Sequence, residues 1–255
     1  MALIYDLQKG SIVKRASAFL LDVILLAIVA VGFACLLSVI FGYDNYSDSY
    51  IEGIEKYRKQ YNVNFEITQQ QYQAFSPEEK ANWDNAYNAL ISDMEVVKAY
   101  NVMTTMIVTI TSVSIFLSYM ALEFVVPCIL KDGQTVGKKV FGLAVMRTNG
   151  VQLTAVPLFI RTFLGKYVIE TMIPVLVLIM ILFNIIGIIG PLLVLILGIV
   201  QLVLVITTKT NSMLHDLLSD SVVVDMSSQL IFKTEEELIE YKTKIAAEKA
   251  AKSTY

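Results

Sequence analysis

Three long apolar runs, the last the longest, alternate with polar and charged stretches along this chain. Ala16 to Phe41 is apolar apart from Asp22, and its 26 residues exceed the roughly 20 that one helical crossing of a bilayer needs. Val102 to Leu130 is a second run, interrupted by Glu123 and Pro127 near its end. Thr171 to Thr208 carries no charge over 38 residues, which suits two crossings better than one. Asn184, Gly187, Gly190 and Pro191 fall in its middle, where a tight turn is needed. The pattern predicts four spans; one span followed by a buried or re-entrant half-helix is the alternative for the last run.

The polar stretch Tyr43 to Tyr100 keeps helical periodicity. Trp83, Tyr87, Leu90, Met94 and Val97 recur at steps of four and three, and Ile51, Ile54, Tyr57 and Tyr61 form a second stripe spaced to pair with it. Ser76, Pro77 and Glu79 make a capping-box start, because hydroxyl and carboxylate can each satisfy an otherwise orphan amide. This predicts a helical hairpin whose later helix runs straight into the second span. At the other end of the chain Thr234 and Glu237 repeat the capping pattern before a Glu-, Lys- and Ala-rich stretch that reads as a solvated helix.

Charge gives the runs a direction. Residues 43–100 hold ten acidic against five basic side chains, whereas Lys131, Lys138, Lys139, Arg147, Arg161 and Lys166 are opposed only by Asp132. A Lys and Arg excess in a short loop marks the cytoplasmic side, so residues 131–166 read as inner and residues 43–100 as outer. Lys9, Lys14 and Arg15 place the N-terminus inside as well. Residues 1–10 lack the pattern of a signal peptide, so the first run is expected to stay as an anchor. The hydrophobic fraction of 56% exceeds the ~45–50% of soluble domains. Cys35 and Cys128 lie inside apolar runs and read as small buried hydrophobes.

Few residues offer chemistry. Asp22 is the sharpest candidate, because a carboxylate deep in a span costs ~2.5–3.5 kcal/mol on insertion scales and has to face protein or water; a transport site and a structural carboxylate are both open readings. Arg15 stands two helical turns before it, as an orientation-setting interfacial arginine or as its partner. Glu123 is near enough to the interface to reach water. Arg161 stands in a stretch whose apolar spacing suits an interfacial amphipathic helix, where it meets lipid phosphate or a carboxylate at the inner end of the bundle. His215 is the sole histidine, which excludes a multi-histidine metal site; a helix-cap or surface role and a proton relay with Asp216 are its two readings. The run Gly133 to Lys139 fails as a phosphate-binding loop on glycine spacing and on its missing Ser or Thr. No nucleophile with a base can be named, so no enzyme, cofactor or metal is implied, and the basic residues lack the interleaved aromatics of a nucleic-acid surface.

Lys14-Arg15-Ala16 with Asp22, then Gly133-Gln134-Thr135, Gly137-Lys138-Lys139, Gly142-Leu143, Val145 and Gly150, then Arg161, and finally Leu214-His215-Asp216-Leu217-Leu218 with Val222 to Val224, resemble the RDD family of small bacterial membrane proteins. The resemblance implies that Arg15, Asp22 and Asp216 are the residues behind the name, and that Gly133, Gln134, Thr135, Gly137, Lys138 and Gly142 form the inner-loop signature. Ser219-Asp220-Ser221 departs from the pattern and sets an extra carboxylate beside Asp216. Transport of unknown ligands is the activity the resemblance implies, with cation-proton exchange proposed for some members.

The expected architecture is an all-α membrane protein: a four-helix transmembrane bundle with an extracytoplasmic helical hairpin and an inner loop containing an amphipathic helix. Its parts are residues 1–42 (inner N-terminus and first span), 43–100 (outer insert), 101–130 (second span), 131–166 (signature loop), 167–208 (third and fourth spans) and 209–255 (C-terminal motif and tail helix). It is expected in the plasma membrane with both termini cytoplasmic, as a transporter with Asp22 as cation or proton site and Arg15, Glu123, Arg161, His215 and Asp216 as its charge network. Four spans make a thin bundle, so transport implies a homo-oligomer. The alternative is a non-transporting scaffold or sensor that recruits a protein partner through the outer insert.

Overall fold

The computed structural model describes residues 7–252 apart from Lys131 and Asn184. Lys131 and Asn184, used above for charge and turn, lie outside the described residues, as do residues 1–6 of the stretch compared with a signal peptide. Four helices are long and apolar enough to cross a membrane: Ile12–Phe41, Met94–Leu130, Ala155–Leu182 and Ile189–Thr207. They are the first to fourth spans of an all-α membrane protein, and their outward faces carry large apolar side chains such as Phe19, Leu20, Leu178 and Leu202. Such faces are stable in hydrocarbon, not in water.

The chain divides into two compact units, residues 32–114 and residues 1–31 with 115–255. In the first unit the helix Tyr43–Tyr61 follows Gly42, whose φ of 67° supplies the left-handed step out of the first span. A short helix Gln69–Gln73 and the helix Pro77–Ser92 follow, each opened by a capping box, from Thr68 with Gln71 and from Ser76 with Glu79. Trp83 stacks on Tyr87 at 5.2 Å and meets Tyr72 edge-on, so the aromatic stripe closes on itself. The later helix does not run on into the second span. It breaks at Asp93, where the backbone is extended at ψ 108°, and the freed carboxylate caps the next helix through the amide of Glu95 and accepts from the Tyr57 hydroxyl at 2.9 Å. Those hydrogen bonds, first from Tyr57 and then from Lys56, hold the Asp93 carboxyl down at about 2.

The second unit contains two strands that the helical expectation omitted. Strand β1, Leu143–Arg147, pairs antiparallel with strand β2, Ser221–Asp225, in the register Leu143 to Asp225 through Arg147 to Ser221. Alternate residues point to opposite faces. Leu143, Val145 and Val223 pack with Ala18 of the first span on one face, and Ala144, Met146, Val222 and Val224 pack with Leu7 and Ile231 on the other. Both faces are buried, which is why the run Val222 to Val224 is apolar without alternation.

Two further expectations change. The third span starts at Ala155, so the stretch around Arg161 is the first half of that span and not a separate amphipathic helix of the loop. Cys35 and Cys128 are exposed on span helices, where the hydrocarbon that surrounds them suits a thiol as well as a protein core does.

Gly53 is buried where a Cβ would stand 2.4 Å from Val96 Cγ2. Gly53→Val should loosen the helical insert by about 1–3 kcal/mol through overpacking. Limited proteolysis in detergent should then cut within residues 43–100 at protease levels that leave the wild type intact.

Candidate functional site

The buried carboxylate of Asp22 is satisfied from the signature loop. Thr135 donates its hydroxyl to Asp22 Oδ2 at 2.5 Å and Gly137 its amide to Oδ1 at 2.7 Å. These groups belong to the first turn of the short helix Val136–Val140, whose amides have no partner of their own. Asp22 therefore acts as a cap supplied by another helix. The contact is so close that a Cβ on Gly137 would lie 2.3 Å from the Ala18 carbonyl, which only glycine permits. Gln134 buttresses the arrangement by donating from Nε2 to the Leu143 carbonyl at 2.8 Å, and Gly133 and Gly142 turn the chain at φ 61° and 65°. Lys138 follows with its ammonium 3.1 Å from the Thr135 hydroxyl and 3.8 Å from Asp22.

A second cluster surrounds Asp216. Arg161 donates from Nε and Nη2 to Asp216 Oδ1 at 3.1 and 2.8 Å, and Arg15 stands 3.6 Å from Oδ2. Arg161 and Asp216 are each 1% exposed. Arg161 thus holds a carboxylate, not lipid phosphate. Burial works against the Asp216 charge, but His215, Arg161 and Arg15 outweigh it and hold the carboxyl well below the usual range. Asp220, the extra carboxylate of the C-terminal motif, turns away from this cluster to Arg147 at 3.8 Å.

Glu123 does not reach water; it is 4% exposed and takes the Lys166 ammonium. Pro127, four residues on, has no N–H to return to the Glu123 carbonyl, and the Thr162 hydroxyl donates to that carbonyl at 2.8 Å instead. His215 is likewise no surface residue. Its Nδ1 lies 2.7 Å from Glu170 Oε2, which assigns the ring proton to that nitrogen, and its Nε2 lies 3.4 Å from Asp216. Burial pushes the His215 imidazole down, against the pull of Asp216 and Glu170. Gln201 of the fourth span donates to Glu170 at 2.6 Å.

Glu170 and Gln201 were missed by sequence reasoning, for a geometric reason. Residues Ile160–Met172 form a π-helix. At about 3.6 residues per turn an α-helix would send Glu170 to the side opposite Arg161. The i to i+5 closure of a π-helix instead stacks Arg161, Lys166 and Glu170 on one inward face, and such turns concentrate at functional sites. The signal was present in the sequence as two polar groups at the edge and in the middle of an apolar run.

Arg15, Asp22, Lys138, Arg161, Lys166 and Asp216 all border one cavity of about 190 Å³, which His215 also lines. Glu123 stands behind Lys166 and Glu170 behind His215. Every charged residue of the expected network therefore lies in this one region; of the inner-loop signature residues Lys138 lines the cavity, while Thr135 and Gly137 bind Asp22 on its wall. Among the described residues no group of His, Cys, Asp and Glu is arranged to hold a metal ion.

Two outcomes follow from these pairings. Arg161→Ala and Asp216→Ala should each cost about 3–5 kcal/mol, since each strands a buried charge, while the double variant should cost clearly less than their sum; thermal unfolding in detergent measures the cycle. Burial, and then the nearby Lys166, push the Lys138 ammonium down to about 7. Unfolded protein then binds more protons than folded protein between that value and the ordinary lysine value, so this group makes stability rise with pH across that window. Lys138→Met should flatten the rise.

The family model described as the RDD family matches residues 9–220. No curated protein and no solved structure matches the chain. The matched span runs from just before the first helix to Asp220, and so includes β1 and every lining residue of the cavity except Val223, and ends just before β2.

Proposed function

The chain belongs to the RDD family, and on that premise we propose that it moves a small solute or ion across the membrane, with the Asp22 and Lys138 pair as its proton or cation site. The observation that carries this reading is the cavity that reaches Asp22 among the spans. A carboxylate in such a place is costly, and intramembrane carboxylates commonly mark ion and substrate pathways. Burial pushes its neighbour Lys138 down to about 7, which would let that ammonium give up and regain a proton near neutral pH. Arg15, Arg161 and Asp216 form an ion-paired cluster on the cavity wall, and Glu123 with Lys166 joins the second span to the third. In this reading the protein works in a plasma membrane with both termini cytoplasmic, and as a homo-oligomer, because four spans enclose little space.

One observation favours a second reading, a scaffold or sensor that recruits a protein partner through residues 43–100. Asp22, Glu123, Glu170 and Asp216 are all paired or hydrogen-bonded, as a structural staple requires. Proteoliposomes separate the two. With an imposed pH gradient and a pH-sensitive dye inside, wild-type protein should dissipate the gradient in the presence of its cation, and Asp22→Asn and Lys138→Met should reduce the rate about tenfold or more. Equal rates for the wild type, both variants and empty vesicles would leave the scaffold reading.

A further inference from the structure

The cations around the cavity are not equally engaged. Arg161 has two donors on Asp216, and Lys166 is held by Glu123. Among the described residues Arg15 meets the Thr210 carbonyl at 3.5 Å and Asp216 at 3.6 Å, both long contacts for a guanidinium that offers five donors. The Lys138 ammonium offers three, and among the described residues it hydrogen-bonds Thr135 at 3.1 Å and stands 3.8 Å from Asp22. Four cationic side chains and two carboxylates line the cavity, so its wall carries a positive surplus. Both carboxylates are already committed, Asp22 to Thr135 and Gly137 and Asp216 to Arg161.

The rest of the wall is apolar. Ile12, Phe19, Leu143 and Val205 border it, and Ile12 and Phe19 are 64% and 57% exposed on the outward face of the first span. In a span helix that face meets acyl chains, so the cavity is bordered by the bilayer as well as by buried charge. A volume of about 190 Å³ accommodates a small oxyanion and its first methylenes, and a longer chain would lie along the first span.

We propose that this cavity binds the oxyanion head of a membrane amphiphile, a phosphate monoester or a carboxylate, between Arg15 and Lys138, with its apolar tail against Phe19 and Val205. The inference rests on the transport reading in that it names the class of substrate the same cavity would carry. Charge-assisted hydrogen bonds from a guanidinium and an ammonium are the strong kind, and a partly desolvated site makes them stronger. An anion beside Lys138 also favours its charged form. Lys138 faces Asp22 from the first span, Glu123 from the second, and Arg161 and Lys166 from the third, so an incoming anion relieves the repulsion of the two cations. Binding should therefore draw in a proton above neutral pH, and weaken as pH rises.

The test uses the full chain in nanodiscs of phosphatidylcholine doped with phosphatidate, with retained lipid counted by native mass spectrometry after extraction into detergent. Wild-type protein should retain phosphatidate in preference to phosphatidylcholine, and should lose it on raising the pH from 6.5 to 8.5, roughly the window set by Lys138. Arg15→Gln and Lys138→Gln should each weaken retention about tenfold, as loss of a charge-assisted bond predicts. Lys139→Gln, an exposed cation outside the cavity, should not. Val205→Trp keeps every charge and fills the apolar end, and should also exclude the lipid; its melting temperature shows that it remains folded. Dodecanoate in competition tells a carboxylate head from a phosphate one. Competition by inorganic phosphate as strong as by phosphatidate would overturn the amphiphile, and equal retention of phosphatidylcholine, or by the Arg15, Lys138 and Val205 variants, would overturn the site. Lipid retention needs no flux, so binding without transport removes the transport reading alone, and proton flux without binding removes this inference alone.

Discussion

A carboxylate inside the hydrocarbon layer has to be answered by donors from the same molecule, and in this chain that requirement draws distant segments together. Asp22 lies ten residues, about 15 Å, into the first span. The groups that answer it are the Gly137 amide and the capping Thr135 hydroxyl of a helix more than a hundred residues later. To bring them within reach the signature loop has to fold back against the first span, and that return places Lys138 and, at the start of β1, Leu143 on the cavity wall. The glycine at position 137 is a consequence of the same approach, since backbone of the loop and backbone of the first span come into contact there.

The other buried charges follow a similar logic, with the backbone adjusted to fit them. The wide turns of Ile160–Met172 align Arg161, Lys166 and Glu170, and those three take one carboxylate or imidazole each from the C-terminal motif and the second span. A smaller distortion at Met120–Val125 turns Glu123 inward just before Pro127. Each irregular turn costs helical hydrogen bonding, and each is compensated by a side chain from a neighbouring helix, as the Thr162 hydroxyl does for the Glu123 carbonyl. Burial of these pairs contributes little net stability beyond what an apolar core would supply; what it contributes is a single permitted alignment of the spans.

Much of this was legible beforehand. Length and hydropathy set the four spans, Gly42 ended the first, and Ser76 with Glu79 opened a helix of the insert. Asp22 stood out because nothing else in its run is charged, and the grouping of Arg15, Arg161, His215 and Asp216 followed from resemblance in motif. What was not legible shares a cause. Glu170, the inward turn of Glu123 and the start of the third span at Ala155 all depend on departures from 3.6-residue periodicity, the very rule used to read helices. The strands were hidden because each is five residues long and buried on both faces, so neither shows the alternation that marks a half-exposed strand. The break at Asp93 was hidden because the apolar stripe continues through it while the backbone does not.

The pairing of β1 with β2 has a bearing on how the protein is made. Leu143 and Asp225 are partners across a stretch of chain that includes two membrane crossings. During synthesis β1 emerges first and has to wait, with one edge open, until both later helices have threaded the bilayer and returned their trailing residues to the same side. Zipping of this two-stranded ribbon is therefore a mechanical record that insertion has finished with the right topology: a molecule that misplaces either of its last two crossings is left with an unpaired ribbon edge, the kind of feature that quality-control proteases and chaperones bind.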